Sequence, residues 1–325
     1  MTKNKVLFLL KNAEGFLSGE QISAEIGVSR MAVSAAVKAL RADGYQITAI
    51  TNRGYRLDES PDCLTVGELM PYLGEERMKS VLCLDTVDST NRCLKTLAND
   101  GAPSGTVVVA DEQTNGRGRR GRSFVSPKGK GIYLSYLLRI ESAPADSTSL
   151  TAWAAASAAS AIETVCGAEP EIKWVNDLLL SGKKLCGILT ELSVESESNL
   201  IDYVVVGIGV NVNEKAEDFP PELRDIAISL RQVLGREQPR AALCAELIRR
   251  FDRLLCDWPQ EKERYLQEYR RREKTAGRAI SVISAGAERS AVALAIEPDF
   301  SLRVRFADGT EESLKSGEIS IRKIQ

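Results

Sequence analysis

The spacing of hydrophobic and polar positions changes character three times along this 325-residue chain. In the first sixty residues it is helical. Val6, Leu7, Leu9 and Leu10 share one side of a helix over 5–12. Ser18, with Gln21 three positions on, forms a capping-box pattern that starts a second helix, which runs to Ile26 and stops at Gly27. Ser29 caps a third helix over 30–42, which ends at Gly44. Val33, Val37 and Leu40 make its inner side, so Ser34, Ala35, Lys38 and Arg41 face out. Two short strands, 47–52 and 54–57, then meet around Arg53. Three helices and a hairpin predict a winged helix-turn-helix, and short outward side chains suit a helix lying in a major groove. Ser29, Arg30, Ser34, Ala35, Lys38, Arg41 and the wing residue Arg53 are therefore the candidate DNA contacts. A small helical protein-interaction module is the other reading of this region.

Asp58-Glu59-Ser60-Pro61 is polar and ends in proline, which marks a boundary. Beyond it, apolar runs at 81–86, 106–114, 131–139 and 203–211 alternate with helical stretches. Their hairpin-like succession predicts a mixed, largely antiparallel sheet backed by helices. The most apolar stretch, 150–165, is interrupted by Ser, Thr and Glu163, so it reads as an alanine-rich core helix and not a membrane span. From about 271 the runs shorten to 279–284, 291–296, 302–306 and 311–314, with Asp308-Gly309 as a turn, a pattern that suits a small SH3-like β-barrel. The expected class is α+β, divided at 1–60, 61–270 and 271–325.

Composition narrows the chemistry. A net charge of −2 excludes a globally basic protein that coats nucleic acid, so DNA contact belongs to a local face. Eight Lys and Arg against six Asp and Glu in the first sixty residues predict weak binding by one copy, and hence a homodimer on paired half-sites. Seven cysteines, odd in number and without Cys-x-x-Cys spacing, predict reduced thiols in a cytoplasmic protein. Lys3, Lys5 and Lys11 break up any signal-peptide pattern. The absence of histidine excludes Ser–His and Cys–His nucleophiles and histidine metal sites. Catalysis must then run on Lys, Arg, Asp, Glu, Asn and bound ions. Activation of a carboxylate by ATP is chemistry of that type, needing positioning and charge stabilisation above all.

Two stretches carry such groups. Gly116-Arg117-Gly118-Arg119-Arg120-Gly121-Arg122 sets four guanidinium groups among three glycines just after a strand. Glycine lets backbone N–H groups form a concave anion site, and arginine forks bind carboxylate or phosphate oxygens in pairs. Alone, the loop reads equally well as a solvated basic loop or an RGG-type tether. Lys173-Trp174-Val175-Asn176-Asp177, then Leu178-Leu179-Leu180, Ser181-Gly182-Lys183-Lys184 and an apolar return strand, predict a β-hairpin. It would bring carboxylate, amide and ammonium together beside Gly187. Alone, it is an ordinary exposed hairpin with solvated lysines.

Together with Ser89-Thr90-Asn91 after the strand at 81–85, and with the strand end Gly207-x-Gly209-x-Asn211, these motifs resemble biotin protein ligases. The resemblance covers nearly the whole chain. Its N-terminal region makes it most similar to the bifunctional members that also repress a biotin operon. The resemblance implies a central domain like class II aminoacyl-tRNA synthetases, and two half-reactions. Biotin and ATP give biotinyl-5′-AMP and pyrophosphate, then a lysine of a biotin carboxyl carrier protein takes the biotin. Ser89, Thr90, Asn91 and Gln113 match positions that bind biotin, joined by Arg117, Gly118, Arg119, Lys184 and Gly187, with Leu134 and Leu189 as apolar walls. Arg119, Arg120, Arg122, Phe124, Asn176, Lys184 and Asn211 match the ATP site, and Asp177 with Asn211 the Mg²⁺ site. Lys184, Arg119 and Asp177 would carry the chemistry: a bridge between carboxylate and α-phosphate, a clamp on the adenylate, and an acceptor for the incoming lysine's proton.

The chain also departs from the family pattern. Phe124 stands where tryptophan is frequent, Val175 where proline is usual, and Glu297-Pro298-Asp299-Phe300 where the barrel has a glycine-rich turn. Residues 226–230 resemble the segment near the adenine. The Gly-Arg loop is expected to order around the adenylate and so complete a dimer that binds operator DNA. Three other readings stay open from sequence: a lipoate or octanoate ligase, a catalytically inactive biotin sensor, and a ligase whose first sixty residues are vestigial in regulation.

Overall fold

In the computed structural model, residues 2–140, 146–194, 200–284, 287–315 and 318–321 are described. The N-terminal module has helices α1 (Thr2–Asn12), α2 (Gly19–Ile26) and α3 (Arg30–Ala42), and a hairpin of β1 (Gln46–Ile50) and β2 (Gly54–Glu59). Both halves of the capping box form: Gln21 N–H donates to Ser18 Oγ at 3.1 Å and Ser18 N–H to Gln21 Oε1 at 2.8 Å. Gly27 ends α2 in the left-handed region. The hairpin closes on the chain entering α2, where Leu17 and Tyr55 exchange backbone hydrogen bonds of 2.9 and 2.8 Å. At Gly54, φ is +103° and a Cβ would fall 2.0 Å from Leu17 O, so only glycine fits. Val6, Leu7, Leu10, Ile22, Val33, Val37 and Leu40 fill a core of the module's own. The module also seats on α4 (Val66–Met78): a Cβ on Gly67 would meet a Leu7 methyl at 2.7 Å, and Lys11 Nζ pairs with Glu68 at 2.5 Å.

Next come β3 (Val81–Val87), α5 (Thr90–Asn99), β4 (Val107–Gln113), β5 (Ile132–Leu138), α6 (Ser147–Cys166), β6 (Glu171–Lys173), β7 (Asp177–Leu180), β8 (Lys183–Val194) and β9 (Ile201–Val210). The strands make one seven-stranded sheet in the order β3-β4-β5-β9-β8-β7-β6, parallel between β3 and β4 and antiparallel at every other pairing. Residues 174–176 form the turn from β6 into β7. The short α7 (Leu230–Leu234) and the longer α8 (Arg240–Asp257) and α9 (Lys262–Arg272) follow.

Alternation along the strands decides where the site can be. Val107, Val109, Leu134, Tyr136, Val206 and Ile208 point to the face buried under α6 and α8, against Trp153, Leu247 and Phe251. Val108, Leu137, Tyr203 and Val205 point the other way, onto Leu94 and Ala98 of α5. Further along that second face β9 carries Gly207 and Gly209, and there the sheet opens. Leu134, expected in the ligand pocket, is thus corrected: it lies on the helix-backed face, and its neighbour Ser135 faces α5 and the opening.

The C-terminal strands β10 (Ala279–Ser284), β11 (Ala287–Ile296), β12 (Leu302–Phe306), β13 (Glu311–Leu314) and β14 (Glu318–Ile321) make a five-stranded antiparallel sheet. The last of these strands was not anticipated from sequence. Phe300 occupies the expected glycine-rich turn in the left-handed region, at φ +62°. Its ring is fully buried edge-on to Tyr269, and Trp174 Nε1–H donates to its carbonyl at 2.9 Å. Packing therefore holds a backbone conformation that sequence alone assigns to glycine.

Candidate active site

Four elements meet at the open end of the sheet: the start of α5, the Gly-Arg loop, the β7–β8 hairpin and the glycine-bearing stretch of β8 and β9. They enclose a cleft of about 1020 Å³, solvent at its mouth included, and Ile319 of β14 forms part of its wall.

The Gly-Arg loop is closed by its own backbone. Gly118 N–H donates to Arg122 O at 2.7 Å and Phe124 N–H to Gly116 O at 2.9 Å. A Cβ on Gly116 would sit 2.3 Å from Phe124 O, and Gly121 has φ +75°, so two of the three glycines are required by geometry. Gly118 is extended and leaves its stretch of main chain bare toward the cleft. The arginines diverge from this base. Arg119 Nη1 donates to Asn176 Oδ1 at 2.8 Å, Arg120 Nη2 donates to Ile283 O of the C-terminal sheet at 3.3 Å, and Arg117 Nη1 stands 3.8 Å from Glu191. Arg117, Arg119, Arg120 and Arg122 all line the cleft.

Opposite the loop, Lys184 Nζ stands 2.7 Å from Asp177 Oδ1, and both side chains remain partly exposed. Asn176 is fixed by its amide nitrogen, which donates to Ile188 O at 3.0 Å. Gly187 lies beneath: a Cβ there would approach Lys184 Nζ at 3.3 Å. The backbone of Lys184 brackets the 226–228 segment, donating to Ile226 O at 2.7 Å and accepting from Ile228 N–H at 2.9 Å.

At the far end, α5 points its N-terminus into the cleft. Ser89 occupies the cap position, yet its hydroxyl makes no capping bond, and among the described residues the structure gives that hydroxyl no protein partner. A buried hydroxyl beside a helix N-terminus is free to meet a ligand oxygen or N–H. Thr90 is tied to Gln113, whose Oε1 accepts from Thr90 N–H at 2.9 Å. The floor is glycine by necessity. A Cβ on Gly207 would fall 2.1 Å from Asn91 Oδ1, and one on Gly209 would fall 2.5 Å from the ring of Phe124.

Most of the expected residues thus converge: Ser89, Thr90, Asn91, Gln113, the four loop arginines, Gly118, Phe124, Asn176, Asp177, Lys184, Gly187 and Leu189 line one cleft. Asn211 does not. It is buried behind the hairpin, where its amide nitrogen donates to Ile228 O at 3.1 Å and lies 3.4 Å from Lys184 O, so it braces the 226–228 segment. Asn91 also spends its amide on protein, facing Glu191 and Leu189 O.

Sequence reasoning missed three residues that the structure makes prominent. Ser135 and Glu191 back the biotin-type motif, and Arg240 is fully buried between Asp62 and Asp111 with Nη1 2.9 Å from Asp111 Oδ1. The strand register would have revealed Ser135; nothing local marks the other two. Glu214 is buried nearby without a side-chain hydrogen-bond partner, and burial pushes its carboxyl up to about 7 against the backbone N–H groups of Glu214 and Val212 and the Arg240 charge.

On the N-terminal module, Ser34, Ala35 and Lys38 are exposed along α3 as expected. Ser29 uses its hydroxyl as the helix cap, and Arg30 pairs with Glu20 at 2.5 Å. Arg41 is exposed too, and its guanidinium also donates to Ile47 O, tying α3 to the wing strand. Arg53 and Arg56 both stack on Phe16, each 4.9 Å from the ring centroid. Met31, 82% exposed beside this face, had not been singled out.

Comparison with known proteins supplies the context. Residues 83–211 match the model of the Biotin/lipoate A/B protein ligase family, and residues 2–56 match that of an HTH domain. A bifunctional ligase/repressor from Bacillus subtilis is 40% identical over 244 residues, 75% of this chain and 74% of that protein. One from Escherichia coli is 31% identical over 323 residues, 99% of this chain and 97% of its own length. Among solved structures, the biotin protein ligase of Aquifex aeolicus in complex with biotin and ATP is 27% identical, with a TM-score of 0.64 over 75% of this chain and 99% of that one.

Proposed function

Since this chain belongs to the biotin protein ligases of the bifunctional ligase/repressor type, we propose a residue-level account of how it joins biotin to its acceptor and reports biotin to DNA. The chain is an ATP-dependent biotin ligase with a DNA-binding repressor module. It forms biotinyl-5′-AMP and transfers the biotinyl group to a lysine of a biotin carboxyl carrier protein.

The observation that carries the assignment of roles is the convergence of Ser89, the Gly-Arg loop and the Lys184–Asp177 pair on one cleft. Biotin's ureido ring would sit at the start of α5, where Ser89 Oγ and Thr90 meet it, with Gln113 holding Thr90. Its carboxylate would lie toward Lys184. A carboxylate oxygen attacks the α-phosphorus of ATP and pyrophosphate leaves. Lys184, with Arg119 and the neighbouring loop arginines, neutralises the charge that develops. In the second step the acceptor lysine's amine attacks the acyl carbon, AMP leaves, and Asp177 is placed to receive the amine's proton. Phe124, standing on Gly209, would cover the adenylate.

Mg²⁺ suits this donor set as an ion held mainly by nucleotide phosphates and water, with Asp177 as the protein's oxygen ligand. No group of three or more His, Cys, Asp or Glu that could hold a metal occurs among the described residues, which agrees with that manner of binding. When bound, the ion would supply charge for the phosphates; Asn211, behind the hairpin, would act by bracing the 226–228 segment.

Residues 1–60 form the DNA-binding unit, 61–270 the ligase unit and 271–325 a smaller barrel that walls the cleft. Adenylate-bound chains pair as homodimers on operator DNA. No helix of the described residues is long and apolar enough to cross a membrane, and the seven free thiols support a cytoplasmic site of action.

The test is mass spectrometry of the purified protein mixed with biotin, ATP and Mg²⁺, with lipoate and octanoate as competitors. Retained biotinyl-5′-AMP with pyrophosphate release is expected. An acyl-AMP formed only from a linear acid, or no adenylate at all, overturns the reading.

A further inference from the structure

Glu191 of β8 does not line the cleft, yet it anchors a chain of buried hydrogen bonds that ends there. Asn91 Nδ2 donates to Glu191 Oε2 at 2.8 Å and to Leu189 O at 3.3 Å. A carboxylate and a carbonyl can only accept, so the nitrogen of Asn91 must face them and its Oδ1 must face Ser135. Ser135 Oγ is 2.5 Å from that oxygen, and its single proton is used there. Toward Thr90 Oγ1, 2.8 Å away, Ser135 can then only accept.

The other side of Thr90 is fixed independently. Phe124 O accepts from the Ser126 hydroxyl at 3.0 Å, Ser126 Oγ accepts from Gln113 Nε2 at 3.0 Å, and Gln113 Oε1 therefore faces Thr90. The Thr90 hydroxyl thus has two acceptors for one proton, Ser135 Oγ at 2.8 Å and Gln113 Oε1 at 3.1 Å. Nothing but lone pairs remains for the cleft.

We propose that Glu191 is a positioning residue that sets the polarity of this chain, making Thr90 an obligate acceptor that selects a ligand group bearing an N–H. The inference rests on the biotin reading, in which that group is a ureido N–H. Lys95 Nζ at 3.3 Å and Arg117 Nη1 at 3.8 Å balance the carboxylate charge but form no link of the chain. An amide in place of the carboxylate could present its own NH₂ to Asn91. Asn91 would then be held in its present sense only by Leu189 O at 3.3 Å, and reversal of its amide would turn the Ser135 proton onto Thr90, whose own proton stays with Gln113, leaving Thr90 one lone pair fewer for the ligand.

The experiment is calorimetric titration of the full chain with biotin alone and with biotin methylated on a ureido nitrogen. Glu191→Gln, which keeps the side chain's size, should weaken biotin about tenfold, the worth of one good hydrogen bond. It should shrink the preference for biotin over the methylated analogue by a similar factor, and leave the KM for ATP within twofold. Lys95→Gln should bind biotin within twofold of wild type. A Glu191→Gln protein with wild-type affinity and preference overturns the proposal, and so does an equal loss in Lys95→Gln, which would reduce Glu191 to an ion-pair partner. Failure of the wild-type chain to bind biotin would instead sink the biotin reading itself.

Discussion

Lys184 and Asp177 face each other at 2.7 Å because β8 carries one extra residue opposite the junction of Leu178 and Leu179. Asp177 is paired with Gly187 and Leu178 with Cys186, but Leu179 is paired with Lys184. In unbroken register Lys184 would oppose Leu180 and point with Cys186 into the core. The bulge moves it one residue over, onto the face of Asp177 and Gly187. A charge that the strand period would have buried is thereby delivered to the cleft.

Replacing that charge should cripple the first half-reaction. Lys184 is partly exposed, so Lys184→Gln should leave unfolding free energy within about 0.5 kcal/mol of wild type. Loss of one preorganised charge costs on the order of 3 kcal/mol, or roughly a hundredfold in rate. Biotin-dependent pyrophosphate exchange at the wild-type rate would remove Lys184 from the mechanism.

Arg119→Gly should produce the opposite defect, an adenylate that forms and escapes. Its guanidinium reaches Asn176 across the cleft at 2.8 Å, so it closes the loop over whatever lies beneath. Losing a charge-assisted hydrogen bond should weaken retention by about 1.5–3 kcal/mol. Bystander proteins should then acquire biotin on surface lysines. Stopped-flow measurement of an unchanged adenylate dissociation rate would refute the clamp.

The glycine floor makes its own prediction. A Cβ on Gly209 would fall 2.5 Å from the Phe124 ring, closer than carbon atoms approach, so Gly209→Ala must push the aromatic cover out of place. The KM for ATP should rise about tenfold, equivalent to roughly 1.4 kcal/mol. Gly209→Ala combined with Phe124→Leu should recover part of the loss. A single variant with wild-type KM would show that Phe124 does not cover the nucleotide.

Glu214 should impose a pH slope on stability. Its carboxyl is pushed up to about 7 in the fold against 4.5 unfolded, because burial outweighs the backbone N–H groups of Glu214 and Val212 and the Arg240 charge, and Asp218 adds repulsion. Between those values the unfolded chain has released the proton and the folded chain has not. The contribution of Glu214 to stability is therefore fullest below pH 4.5 and is lost as pH rises through about 7. Glu214→Gln should flatten that slope and stabilise the protein at pH 8 by at most roughly 3 kcal/mol. Urea midpoints at pH 5 and pH 8 that shift equally would contradict it.

How much of this was legible in the sequence depends on the range of the interaction involved. Caps were readable because Ser18, Gln21 and Gly27 act close to the ends of one helix, and the strands at 81–86, 106–114, 131–139 and 203–211 were readable as apolar runs. The motif residues could be named because they stand in recognisable local strings. Leu134 was misplaced because alternation gives two faces without saying which one the helices cover. Lys184 reached the cleft through a bulge, which no pattern announces. Glu191 joins Asn91 across a hundred residues of chain, and Arg240 joins Asp62 and Asp111 over longer separations still. Such contacts exist only once the sheet has formed. Phe300 defied the rule that the left-handed region needs glycine because its burial, invisible locally, outweighs the backbone strain.

The last prediction joins the two ends of the chain. The basic surface proposed to face DNA is small: Lys38 is exposed on α3, Arg30 is shared with Glu20, Arg41 donates to the wing backbone, and Arg53 shares Phe16 with Arg56. One copy therefore makes few phosphate contacts, and useful affinity requires two copies on paired half-sites. The module is not loosely hung, since Lys11 is paired with Glu68 and Arg240 grips Asp62 of the linker through side chain and backbone. Pairing of the ligase units would thus fix the spacing of the DNA-binding units. Ligand binding that favours the dimer must be favoured by it to the same extent, so biotin with ATP should tighten binding to a duplex enriched from a random pool. Addition of unmodified carrier protein should relax that binding by consuming the adenylate. Lys38→Gln should weaken all duplexes alike and reduce the salt slope by about one per copy. DNA titrations with and without both ligands, paired with sedimentation of the same samples, test the linkage. Equal affinity in every condition would leave a ligase whose N-terminal module does not report biotin.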